Sequence, residues 1–151
     1  MGNEQAVSET PSERVGDQRV RNRIMDALSW LAEGAVAVRR MSAQEFFAMF
    51  YDWVDDENPV WPWPKGSPST MTPHEVEAVT RVLSVVNEAV EQIEDLNDDA
   101  FVIASGWLER IAPVARTALN LMLVRGCFDE GKSETEPSNK TFEAALRNNM
   151  V

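Results

Sequence analysis

The chain carries one cysteine and one histidine. Cys127 alone can form no intrachain disulfide and supplies no paired-cysteine zinc site. His74 alone excludes the two-histidine helix of a metalloprotease and the paired Glu-x-x-His arrangement of a di-iron bundle. Long apolar runs are missing too, because Glu109, Arg110 and Arg116 interrupt the longest candidate, Phe101 to Val124. The opening Met1-Gly2-Asn3-Glu4-Gln5 lacks the basic-then-apolar order of a signal peptide, so a cytoplasmic protein without membrane contact is the expectation. No Gly-rich phosphate loop, nucleophile elbow or kinase signature occurs. The expected set of catalytic residues, metal ligands and cofactors is therefore empty, and the chain reads as a binding protein rather than an enzyme.

Basic charge is scarce where acid is dense. The net charge is −11, and residues 41–109 hold only Lys65 and Arg81 against fourteen acids. Such a field repels nucleic-acid phosphates and attracts basic partners, over a Debye length of about 8 Å in physiological salt. Arg14, Arg19, Arg21, Arg23, Arg39 and Arg40 give the first helical segment a basic side, but Trp30 is its one aromatic residue. Recognition of DNA is poorly supported by that pattern. Those arginines are expected to neutralise acidic helices within one chain or across a homodimer.

What is present is helical periodicity. With 44% hydrophobic residues among 151, one core is affordable to a single domain. Thr10-Pro11-Ser12-Glu13 and Thr72-Pro73-His74-Glu75 each join a Thr cap to a proline at the first helical position, and Ser42-Ala43-Gln44-Glu45 repeats the cap without proline. The apolar spacing predicts helices over about 11–40, 43–54, 73–96 and 99–125, with Gly126 as the last stop. In the fourth, Pro113 either bends a continuous helix or follows a break at Ala112. These assignments amount to an all-α four-helix bundle over residues 11–126, with a fifth helix if the chain breaks at Pro113 or if Phe142 to Arg147 is helical. Residues 1–10 are expected to be disordered, and 127–151 to form a polar tail whose 129–140 part is a mobile linker.

One acidic spacing raises metal chemistry. Glu88-x-x-Glu91-x-x-Glu94 and Asp95-x-x-Asp98 could serve a metal-dependent hydrolase, but the apolar seam places that face outside the bundle and no second facing pair is visible. Asp95-Leu96-Asn97-Asp98-Asp99 begins like a calcium loop, yet Ala100 and Gly106 stand where Gly and Glu are required. The cluster reads instead as a helix–helix turn capped by Asn97 or Asp98.

Between the second and third segments, Asn58 to Pro68 holds four prolines, Gly66, Trp61 and Trp63. Prolines forbid a helix there, while the tryptophans call for burial against this core or a partner. The leading expectation is an acidic, non-catalytic protein-interaction module that binds a basic protein partner, an inhibitor or immunity-type protein being one concrete version. Its contact residues would be Trp53, Asp55, Asp56, Glu57, Trp61, Trp63, Glu88, Glu91 and Asp95. The alternative is a small-molecule site lined by Phe46, Phe50, Trp61, Trp63 and Trp107.

Overall fold

The computed structural model describes residues 13–54 and 70–139. Six helices run through them: α1 (Glu13–Glu33), α2 (Ala35–Met41), α3 (Ala43–Tyr51), α4 (Pro73–Gln92), α5 (Asp99–Ala104) and α6 (Trp107–Arg125). The fold is all-α, and among the described residues the one β feature is an isolated bridge between Cys127 and Asn139. The Trp/Pro insert, the Thr10 cap and the Phe142–Arg147 segment lie outside the described residues.

The predicted starts at Ser42 and Thr72 are formed. Thr72 accepts from the Glu75 amide at 3.1 Å while the Glu75 carboxylate accepts from the Thr72 amide at 3.0 Å, a complete capping box. Ser42 accepts from the Glu45 amide, and Asp98 caps α5 through the Phe101 amide. Gly126 ends α6 as expected.

Two long helices are shorter than their periodicity suggested. The first breaks at Gly34, whose φ of 58° lies outside the helical region, so the chain turns before α2. The fourth breaks at Gly106, which takes a left-handed φ of 87°, and not at Ala112. Pro113 stays inside α6 because it sits on the exposed side, where solvent can answer the carbonyl freed four residues earlier. Apolar spacing is blind to both glycines because each interrupts a stripe without shifting its phase.

The central helix α6 packs on both α1 and α4. Arg21 of α1 meets the α6 C-terminus, whereas Arg116 of α6 reaches the Ala32 carbonyl near the other end of α1, so the two run antiparallel. Ile24, Leu28 and Leu31, Val79, Val82 and Val86, and Ile111, Ala115 and Met122 are the buried faces of these three helices. Phe46 and Phe50 of α3 close the same core. Each large apolar side chain so buried contributes about 1.5–3 kcal/mol relative to exposure.

Candidate functional site

The basic side of α1 is consumed internally, whereas Arg39 and Arg40 at the end of α2 are exposed. Residues 127–139, expected to be a mobile linker from Asp129 onward, form a strap docked along α1. Arg14 donates to the carbonyls of Glu134 and Thr135, Gln18 to those of Asp129 and Lys132, and Arg19 to that of Glu130. Asn22 donates to the Phe128 carbonyl at 2.9 Å and accepts from its amide at 3.2 Å. Satisfying the strap's backbone groups replaces the water that a free linker would need. Phe128 is buried, with the guanidinium carbons of Arg14, Arg21 and Arg125 at 5.2, 5.5 and 5.9 Å from its ring centroid.

Beneath the strap lies an ionic hub that sequence reasoning missed. Arg21 is 0% exposed and Glu75 is 1% exposed, joined by a 2.8 Å contact. Arg21 also donates to the carbonyls of Gly126 and Met122, satisfying the open C-terminal end of α6. Arg125 adds a second cation at 2.8 Å from Glu75. Glu75 therefore caps α4 and ties it to α1 and α6 with one carboxylate. The signal in the sequence was a line of polar residues, Arg14, Gln18, Arg21 and Asn22, at three- and four-residue steps beside the apolar stripe of α1.

At the strap's edge, Arg23 grips Glu130 with two 2.8 Å hydrogen bonds. Burial opposes ionisation of Glu130, but the hydrogen bonds from Arg23 and Asn22 and the charges of Arg23 and Arg19 outweigh it and hold the carboxyl below its ordinary range. The bond to Glu130 likewise raises the Arg23 pKa against a smaller effect of burial. Asp17 goes the other way: burial and then the charge of Glu13 raise its pKa, against the lowering by Arg14.

The acidic part faces outward at the other end of α4. Glu88 and Glu91 are exposed near its C-terminus, and Glu94, Asp95 and Asp98 are exposed in the turn that follows. No base stands in the last turn of α4. Carboxylates there oppose the helix dipole, at about 0.3–1 kcal/mol each when unscreened. Among the described residues, no Lys or Arg forms an ion pair with any of these five.

The edge is fixed in place by polar contacts. Asp95 accepts from the Asn97 amide, Asp99 accepts from the Ala43 amide at 2.8 Å, and the Gln44 amide group bonds Asn97. These ties lock the turn to the start of α3. Because α4 ends at Gln92, Asp95 and Asp98 lie in this turn and do not continue one helical face with Glu88 and Glu91, as the spacing had implied.

The remaining expected site residues take different environments. Trp53 is half-buried against the core, just beyond Tyr51, whose hydroxyl donates to Asn87 at 2.6 Å and so ties that end of α3 to the residue before Glu88. Phe46 and Phe50 are fully buried. Trp107 is half-buried, with the Arg110 guanidinium carbon 4.1 Å from its ring centroid. Asp55, Asp56, Glu57, Trp61 and Trp63 lie outside the described residues. His74 is exposed in the first turn of α4, and Cys127 is buried with its thiol 3.8 Å from the Met25 sulfur.

Among the described residues, no three His, Cys, Asp or Glu side chains are grouped to hold a metal ion, and no helix is long and apolar enough to cross a membrane. The chain matches no known protein-family model, and no curated protein or solved structure is detectably similar to it.

Proposed function

We propose that the protein is a non-catalytic interaction module whose acidic edge, Glu88, Glu91, Glu94, Asp95 and Asp98, engages a basic surface on a protein partner. The observation that carries this reading is the contrast between the arginines of α1 and the carboxylates at the far end of α4. Arg14, Arg19, Arg21 and Arg23 are occupied by the strap and by Glu75, whereas the edge carboxylates have no intramolecular cation among the described residues. Keeping Glu88, Glu91, Glu94 and Asp95 about the C-terminal end of α4 costs stability, and binding to cations recovers it.

Trp53 extends the candidate contact toward the segment that holds Asp55, Asp56, Glu57, Trp61 and Trp63. Aromatic anchors beside charge are the composition of interface hot spots. An inhibitor that neutralises a cationic enzyme is the concrete version this surface suits, and its expected location is cytoplasmic. Electrostatic steering would speed encounter and leave dissociation to the anchors.

The test is capture of a partner from cell extract on the immobilised protein, followed by association kinetics with the purified partner. The E88K/E91K/D95K variant is expected to lower the association rate at least tenfold in low salt, with a smaller loss in high salt. Equal rates for variant and wild type, or capture of acidic proteins only, would remove this reading.

A further inference from the structure

A second surface lies on the face shared by α4 and α6. Between α4 and α6 lies an open groove of about 280 Å³ lined by Ala78, Arg81, Pro113, Val114, Thr117 and Ala118. Small side chains make its floor, so another helix can approach closely. Immediately beyond it on α6 stand two exposed apolar residues, Leu121 at 37% and Val124 at 75% exposure.

Groove and knobs belong to one helical stripe. Val114, Thr117, Leu121 and Val124 follow steps of three, four and three residues, the seam spacing of a helix that packs against another helix. The Thr117 hydroxyl already donates to the Pro113 carbonyl at 3.0 Å, so the seam meets no unsatisfied donor there. A stripe with a hollow at one end and knobs at the other is self-complementary under a two-fold rotation, which sets Leu121 of each copy against the hollow of the other.

Charge supplies the independent argument. Glu75 of α4 pairs with Arg125, and Ala78 and Arg81 line the groove with Pro113 to Ala118, so α4 runs antiparallel to α6 with Val79 near the level of Thr117. Glu77 and Arg81, both exposed and 3.3 Å apart, stand two residues either side of that level. A two-fold axis through it brings Glu77 of one copy opposite Arg81 of the other, twice. The same operation sends the two acidic edges to opposite ends, where a net charge of −11 per chain opposes association least.

We infer that the protein forms a two-fold dimer through the α4–α6 face, with the axis near Thr117, Leu121 of each copy at the hollow of the other, and reciprocal Glu77–Arg81 pairs. This assembly stands apart from the proposed acidic contact and would make that contact bivalent.

The test is sedimentation velocity from about 1 to 200 µM, with monomer folding followed separately by circular dichroism. Wild type is expected to shift to dimer over that range, and L121E/V124E to remain monomeric with unchanged helicity. E77R places like charges in both reciprocal pairs, as does R81E, so each alone is expected to weaken self-association at least tenfold. Mixing the E77R and R81E proteins restores both pairs across copies and is expected to give a 1:1 heterodimer. An intrahelical effect cannot produce that rescue. A wild type that stays monomeric throughout, or a mixture that fails to associate, overturns the dimer and leaves the face to a different occupant.

Discussion

Glu75 shows how much of this structure one carboxylate controls. It was legible in the sequence as the closing residue of a capping box, and it is that. Its pairing with Arg21 and Arg125 was not legible, because the partners lie 54 and 50 residues away and only the packing of α1 and α6 brings them to it. Removing one member of a buried pair leaves the other charge uncompensated, at about 3–5 kcal/mol. Glu75→Ala is accordingly expected to lose stability of that order in urea unfolding, far more than Glu77→Ala at the exposed pair.

Two further residues carry opposite pH signs. The lowered pKa of Glu130 means that its stabilisation is complete above the ordinary carboxyl range and is lost as pH falls through the folded-state value. Glu130→Gln should therefore flatten the acid side of a stability–pH curve. Asp17 has a raised pKa, so the folded chain holds its proton to higher pH than the unfolded chain and stability is lost as pH rises through that window. Asp17→Asn is expected to raise the neutral-pH melting temperature.

At the scale of elements, caps were the most legible feature and breaks the least. Helix starts are written in local chemistry, a side-chain oxygen three residues before an amide, and Ser42, Thr72 and Asp98 all act so. The breaks at Gly34 and Gly106 depend on where the rest of the chain must go. Ser42 adds a tension of its own, since it caps α3 while holding a φ of 101° and ψ of 157°, a region that side chains other than glycine's disfavour by about 1–3 kcal/mol. Replacing a serine cap by glycine costs only about a few tenths of a kcal/mol. Ser42→Gly is therefore expected to stabilise the protein in thermal melts, and Gly34→Ala to destabilise it, although Leu108 leaves ordinary contact room at 3.8 Å.

The strap was misread for a physical reason. Composition reports that a segment has few apolar residues to bury, but this one is held by its backbone, which every sequence possesses. Its recognition depends on Arg14, Gln18, Arg19 and Asn22 of α1, more than a hundred residues earlier. Phe128→Ala should cost about 3–5 kcal/mol. The same change is expected to raise amide exchange of residues 128–136 above that of α6, as the strap loses its apolar anchor.

For the whole molecule, acidic composition alone could not distinguish a solvating surface from a contact site. The structure shows that Arg14, Arg19, Arg21 and Arg23 of α1 hold the chain's own strap and hub, while Arg39 and Arg40 are exposed. Exposed carboxylates with no ion-paired cation among the described residues gather in an edge at the end of α4, fixed to α3 by Asp99, Asn97 and Gln44. The proposal that it is the contact surface is tested most directly by carboxyl footprinting, in which carbodiimide labelling is quantified by mass spectrometry with and without the captured partner. The account predicts that Glu88, Glu91, Asp95 and Asp98 are protected in the complex while Glu130, Glu134 and Glu136 of the strap are labelled equally in both states. Protection confined to the strap, with the edge labelled as in the free protein, would contradict it.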